Sequence, residues 1–532
     1  MRSPAVAIAW EFRRRYRWGL TTLAGYLVGL GIIKLLILAP GPPVDIENSM
    51  SMWFLVLAPL AAAFVFLLAV FSFGLDGDFA ARQSIYPARL FTLPVTTAAL
   101  AGWPMLYGAV TVAGLWLATA LLALWPSGIH APSIWPALLA VAFLAWIQAL
   151  TWMPYGLRGL RVIVLMLWLI VAETIVMLAM HYKVAESVMV AFILPQLPLA
   201  YLAARFAVAR ARRGDVPDWL GAFARRGQAA DLPAFASPAR AQFWFEWRRH
   251  GWSLPMLVGI LVPFELLLLF LPDVAQAIVI LTLLGVLFTP PFMALFAAAT
   301  VRQPGLTPFI GTRPVTSAAL IAAKLKMTFW STLAAWVLVL AAIPLALNLS
   351  GTWPVVIGRA RKVIDVFGTP RAAVLLLLLL LGLMASTWKQ LVQTLYIGLS
   401  GREWVVKASV AFALALLCVI GPLLLWLDKS AVARGALWNG LPWIAAVLVC
   451  LKTSAAAWVA TRLYRSRLLS DHTLVTGAAC WVAVVLALYG LLIWLVSGPL
   501  IPRYFLALVA ILAIPLARLS ATPLALAWNR HR

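Results

Sequence analysis

The ten residues Phe91-Thr-Leu-Pro-Val-Thr-Thr-Ala-Ala-Leu100 return 220 positions later as Gly311-Thr-Arg-Pro-Val-Thr-Ser-Ala-Ala-Leu320. Thr92, Pro94, Val95 and Thr96 stand over Thr312, Pro314, Val315 and Thr316, and upstream Arg82 and Gln83 stand over Arg302 and Gln303. A polar stretch written twice in a chain that is 64% hydrophobic is not explained by lipid-facing composition. It reads as a duplicated membrane domain, each copy keeping the same surface on the same side.

Composition agrees with that class. The chain has 532 residues, of which 11% are charged, and a mean hydropathy of +0.98, outside the balance of a soluble domain. Crossing ~30 Å of hydrocarbon takes roughly 20 helical residues, and lipid leaves the backbone no hydrogen-bond partner except its own helix. The expected fold is therefore an all-α polytopic membrane protein with fourteen transmembrane helices. They are predicted at 19–38, 53–73, 104–125, 134–155, 160–181, 188–208, 253–271, 275–299, 327–347, 372–395, 405–427, 438–460, 474–497 and 503–522.

The formal charge of +24 is distributed as an orientation signal rather than as a nucleic-acid surface. With both termini in the cytoplasm, most Arg and Lys fall in inside loops, including Arg82, Arg89, Arg158, Arg161 and the run from Arg210 to Arg249. Arg359, Arg361, Lys362 and Arg371 break the pattern, because they lie in a loop predicted outside. Cys418, Cys450 and Cys480 lie within spans and read as buried small hydrophobes, without disulfide or metal spacing. The N-terminal apolar run is too long, and lacks a small-residue cleavage site, for a removable signal.

Two further blocks recur in the same order. At a spacing of 234, Trp10, Arg14, Arg15 and Trp18 match Trp244, Arg248, Arg249 and Trp252. Each block precedes the first span of a half and is expected as an interfacial helix, with Ile8, Phe12 and Tyr16 on one face and Arg13, Arg14 and Arg17 on the other. Trp247 belongs to the second of these helices. At a spacing of 242, Trp146, Gln148 and Gly156 match Trp388, Gln390 and Gly398. The organisation that follows is a first half over 1–208, a linker over 209–239, a second half over 240–470, and two added C-terminal spans with a basic tail over 471–532. Six spans per half make the repeat parallel, related by an axis along the membrane normal. In both copies the loop is expected to start a short helix at Thr-x-Pro-Val-Thr, which continues into the next span and would transmit a push from a cytosolic partner.

The blocks Trp10-Glu11-x-Arg13-Arg14-Arg15 and Phe91-Thr92-Leu93-Pro94-Val95-Thr96, with Arg313-Pro314-Val315-Thr316 and Lys324 in the second copy, resemble the permeases of type-2 ABC transporters. The resemblance covers about residues 1–465 as two fused halves. It implies an elbow-like helix and a coupling helix in each half, and two cytoplasmic ATP-binding subunits that dock on the coupling loops. The docking residues would be Arg82, Gln83, Arg89, Thr92, Pro94, Val95 and Thr96 in the first copy. Those of the second would be Arg302, Gln303, Thr312, Arg313, Pro314, Val315, Thr316 and Lys324. It implies export of an unidentified substrate across a bacterial inner membrane. The chain has no GxxxxGK[ST] phosphate loop, so no cofactor is expected in it and ATP hydrolysis is expected only with the partner.

Polar residues within spans are candidates for a translocation path. Glu173 and Glu265 are costly in lipid and are expected to face the bundle interior, while Gln148 and Gln390 occupy equivalent places in the two halves. Residues Asp76-Gly77-Asp78 raise a metal-dependent sugar or lipid transferase as an alternative, but the second copy has Phe296 and Ala298 there. Buried carboxylates would fit an ion-coupled secondary transporter. No catalytic residue and no metal site is assigned.

Overall fold

In a computed structural model of the chain, the described residues are 3–33, 58–74, 79, 81–125, 134–215, 235, 237–270, 275–299, 317–399, 431–467, 470–495 and 502–514. They are 88% helical, in sixteen α-helices without a strand. Ten of these helical stretches are long and apolar enough to cross a membrane. The protein is an all-α integral membrane protein. Of the remaining predicted spans, 405–427 lies outside the described residues, and 19–38, 53–73 and 503–522 are described only as far as Ile33, over Ala58–Phe71, and over Arg503–Ala513.

The described residues pack into two compact units, one within 1–231 and the other within 232–402 and 434–532. The first contains α1 (Pro4–Ile33), α2 (Ala58–Phe71), α3 (Thr97–Thr119), α4 (Ile134–Trp152), α5 (Leu160–His181), α6 (Glu186–Ile193) and α7 (Gln196–Arg213). Helix α1 changes direction at Tyr16, whose backbone leaves the helical region (φ −110°, ψ 16°). The break separates the Arg-rich segment from the apolar one. Before it, Ile8 and Phe12 are buried while Arg13 and Arg14 are exposed, as the two-faced pattern predicts. The predicted span 188–208 is interrupted between α6 and α7. Pro195 has no N–H to continue the helix, and Pro198 removes another donor in the next turn.

The second unit contains α8 (Pro238–Glu246), α9 (Ser253–Leu266), α10 (Gln276–Ala299), α11 (Ser317–Leu349), α12 (Trp353–Phe367) and α13 (Thr369–Leu399), followed by α14 (Ala431–Arg465), α15 (Asp471–Leu495) and α16 (Arg503–Ala513). A π-helical turn over Trp247–Gly251 joins α8 to α9 at the place where α1 breaks in the first unit. Helix α11 is described from Ser317, which lies 220 positions beyond Thr97, the first residue of α3. In both units the first span packs against the third, as α1 on α3 and α9 on α11.

The C-terminal pair is tied to the second unit by a lysine. Lys452, in the middle of α14, donates to the carbonyls of Ile511, Leu512 and Ile514 at the end of α16, and the Trp481 indole reaches Ile514 from α15 (3.4 Å). The last carbonyls of a helix lack intrahelical partners and carry partial negative charge, so an ammonium there offsets its own desolvation. Cys450 and Cys480 are exposed on the outer faces of α14 and α15, contrary to the expected burial, because these helices present most of their surface outside the protein. Cys418 lies outside the described residues. Replacing Lys452 with Met is expected to release α16, seen as faster proteolysis of the C-terminal segment with the rest of the chain protected.

Candidate functional site

The first repeated loop rests on backbone that no helix satisfies, and side chains supply the missing partners. Arg161, fully buried at the start of α5, donates to the carbonyls of Phe79 (3.4 Å), Gln83 and Met153 (3.2 Å). Tyr155 N–H donates to the carbonyl of Arg82 (2.9 Å), and the Ser84 hydroxyl to that of Trp152 (2.5 Å). Three bonds from one cation hold the loop against the α4–α5 turn, each worth about 1.5–3 kcal/mol to a charged donor. Burial pushes the Tyr155 phenol up to about 12, although the Arg161 guanidinium 5.5 Å from its ring acts in the opposite sense.

Below the loop lies an aromatic cluster. Tyr86 stacks on Phe91 (5.2 Å, 11°) and meets Trp152 edge-on (5.2 Å, 89°), while Phe73 contacts Phe12, Tyr86 and Trp152. Phe12 therefore brings α1 into the same block as the loop and the end of α4. The Tyr86 hydroxyl also has a defined task. Pro104 cannot donate to the carbonyl one turn earlier, at Leu100, and Tyr86 donates to that oxygen instead (2.9 Å). A T-shaped pair of this kind adds roughly 0.5–1.5 kcal/mol to area burial.

The helix of the repeated motif starts later than the sequence predicts. Thr92 closes a short 3-10 helix (Ala88–Thr92), with its hydroxyl donating to Arg89 O (2.8 Å). Pro94 and Val95 follow outside any helix, and Thr96 is the cap, accepting from Ala99 N–H (3.3 Å). Two prolines-worth of restriction is not needed: the single ring of Pro94 disfavours helix at Leu93, which moves the start to Thr97. From there α3 is continuous into its span.

Side chains of Arg82, Gln83, Arg89, Thr92, Pro94 and Thr96 are exposed, and Val95 is half-buried with its carbonyl accepting from Arg212 (2.9 Å). The loop backbone is thus pinned while its side chains face outward. Arg302, Gln303, Thr312, Arg313, Pro314, Val315 and Thr316 lie outside the described residues, as do Asp76 and Asp78.

In each unit a glutamate of the interfacial helix meets a cation of the loop or the helix after it. Glu11 pairs with Arg89 (2.6 Å) at a partly exposed site. Glu246 pairs with Lys324 (2.8 Å), where the side chains are 1% and 11% exposed, and Gln242 donates to the second carboxylate oxygen (3.0 Å). Lys324 is therefore a buried residue of α11, held in an ion pair. Arg14 lies over Trp10 at 5.0 Å and Arg248 over Trp244 at 5.1 Å, the same pair in both copies. Trp10 and Arg248 are exposed, Trp244 and Trp247 half-buried, and the side chains of Arg15 and Arg249 are outside the described ones.

Of the polar residues in the spans, Gln148 is fully buried and donates to Phe71 O (3.1 Å) and Pro104 O (3.4 Å), bridging α2, α3 and α4. That is a packing role. Glu173 is exposed on α5, contrary to the expected inward placement, six residues short of the end of its apolar stretch at Ala179. Roughly 9 Å of helix separates it from that end, within reach of a side chain bending toward the interface. Thr289 neighbours both Glu265 and Gln390. Thr289 donates to the Glu265 carboxylate (2.6 Å), and with Gly285, Phe288, Pro291, Phe292 and Gln390 it lines a cavity of about 380 Å3. Thr289 is the residue that sequence reading missed there. Its signal was the adjoining Pro290-Pro291 within α10, which deprives two carbonyls of donors and leaves polar backbone inside a span.

Neither a family model, nor a curated protein, nor a solved structure matches this chain. The similarity it carries is internal.

Two substitutions probe these contacts. Arg161→Met leaves three carbonyls without their cation, so trypsin cleavage after Arg82 and Arg89 in the folded protein should accelerate on the order of 100-fold, with Arg161→Lys intermediate. Lys324→Met strands a buried carboxylate and should cost about 3–5 kcal/mol. The double variant Lys324→Met with Glu246→Leu should recover most of that loss in thermal unfolding, the signature of a coupled pair.

Proposed function

We propose that the chain is the membrane-spanning subunit of an ATP-driven exporter of the type-2 ABC class, both permease halves in one polypeptide. Two separate ATP-binding subunits dock on its cytoplasmic loops. The observation that carries this reading is the matched pair of an interfacial helix and a following span. The Trp–Arg pair recurs in α1 and α8, Thr97–Leu100 of α3 has its counterpart in Ser317–Leu320 of α11, and a glutamate–cation contact ties the interfacial helix to the loop in the first unit and to α11 in the second.

That arrangement suits force transmission. A subunit bearing on Arg82, Gln83 and Thr92 presses on backbone that Arg161 and Tyr155 hold rigid. The displacement passes into α3, which is continuous with the loop's end, and into α1 through Phe12 and the Glu11–Arg89 pair. Moving both halves against their pseudo-twofold axis would open a path alternately to the two sides. Both termini lie in the cytoplasm of a bacterial inner membrane in this reading. The ATP chemistry belongs entirely to the partner.

The Glu265–Thr289 contact within the spans suits a second reading, an ion-coupled transporter in which that carboxylate takes up the coupling ion. The two are separated by one experiment. The tagged chain is purified in mild detergent and assayed for a bound ATPase, beside Arg82→Glu and Arg313→Glu variants. The exporter reading expects about two ATPase subunits per chain, lost in the charge-reversed variants. If instead the chain alone moves solute in vesicles under a proton gradient, and Glu265→Gln stops it, the ion-coupled reading replaces it.

A further inference from the structure

Helix α12 is neither a span nor part of the packed interior. It joins α11 to α13 through two turns, at Gly351 (φ 68°) and Gly368 (φ 79°), conformations that side-chain-bearing residues rarely adopt. Its fifteen residues cover roughly 22 Å, too short to cross, and none of them is buried. Trp353, Val356, Ile357, Ala360, Ile364 and Phe367 recur at helical spacing along one side. Arg359, Arg361, Lys362 and Asp365 occupy the other. The apolar side is left uncovered by the rest of the chain, with Trp353, Ile357, Ile364 and Phe367 all exposed.

Because α12 is bounded by two membrane-crossing helices, its ends are held at the membrane surface. Trp494, near the end of α15, lies against the first turn of α13 with the Arg371 guanidinium 5.8 Å from its ring, and so marks the same level. Tryptophans gather at that depth. We propose that α12 lies in the plane of the bilayer interface, its apolar side among acyl chains, and that Arg359, Arg361 and Lys362 recruit anionic phospholipid headgroups. Three cations against one carboxylate give the polar side its preference, and guanidinium binds phosphate through paired hydrogen bonds. This also accounts for the exception to the charge bias. Those residues address headgroups of the membrane face opposite the one that carries the start of α11.

The test uses the full chain with its three cysteines replaced by serine and single nitroxide labels introduced by Ile357→Cys, Ile364→Cys, Arg361→Cys or Lys362→Cys. Vesicles are phosphatidylcholine alone or with roughly 30% phosphatidylglycerol. Labels at 357 and 364 should be relaxed by oxygen and shielded from a water-soluble nickel complex, and labels at 361 and 362 the reverse. Phosphatidylglycerol retained per purified chain should fall several-fold in the triple variant Arg359→Gln, Arg361→Gln, Lys362→Gln, at about fivefold in local affinity per charge removed. These side chains are exposed, so folding is not at stake. Nickel reaching both sides would mean a solvated helix and overturn the proposal. Shielding of both sides from both reagents would mean a protein cover and overturn it equally. Unchanged phosphatidylglycerol retention would remove the headgroup assignment.

Discussion

Carbonyl oxygens that no helix satisfies are the constraint around which this structure is arranged. Hydrocarbon offers them nothing, and each one left bare costs on the order of several kcal/mol. At several turns, and where Pro104 opens a helix carbonyl, a side-chain donor arrives from elsewhere in the sequence. Arg161 takes the loop at Phe79 and Gln83, Tyr86 takes Leu100, Gln148 takes Phe71, the Trp152 indole takes Ser72, and Lys452 takes the end of α16. A guanidinium among three carbonyls gains aligned dipoles in place of part of the hydration it gave up. The first repeated loop owes its shape to that substitution.

The two halves solve one positional problem differently. At the repeat spacing Lys324 stands where the first half has Pro104. Proline opens a helix carbonyl that Tyr86 must fill, and this draws the loop onto α3. Lysine keeps the helix bond and extends a cation to Glu246, which draws the interfacial helix onto α11 instead. Both outcomes join the Arg-rich segment, the loop region and the third span. The first relies on neutral donors and rings, the second on a buried ion pair that fails if either member is lost. Duplication preserved the connection while its chemistry diverged.

What the sequence revealed follows from how local each constraint is. Span positions were legible because hydrocarbon thickness imposes a length on every segment, and the amphipathic face of α1 was legible because Ile8 and Phe12 lie one turn apart. Tertiary bonds were not. Arg161 and Gln83 are 78 residues apart, and Ser84 and Trp152 are 68. From charge bias alone Arg161 reads as one more solvated cation beside the membrane. Lys324 misled in the same manner, since nothing local indicates that a lysine two turns into a helix faces a glutamate from another. The late start of α3 was not legible either, because Thr-x-Pro-Val-Thr reads as one helix start, whereas Leu93 before Pro94 is extended and Thr96 is the cap.

The carboxylates show why depth alone is a poor guide to function within a membrane. Glu173 and Glu265 both fall in apolar helices, and sequence treats them alike. The structure separates them by their partners. Glu173 faces outward a few ångströms' reach from the end of its span, where bending toward water satisfies it and a role in moving solute is not required. Glu265 lies five residues before Phe270, the end of its own apolar stretch, and differs in what it touches. Its carboxylate accepts from Thr289, which itself lines an open pocket together with Gln390 of the repeated block. Gln148, which matches Gln390 by position in the first half, donates instead to two backbone carbonyls and bridges three helices. Depth in the span is nearly the same for both carboxylates, and the hydroxyl that meets Glu265 from the neighbouring helix is what distinguishes it.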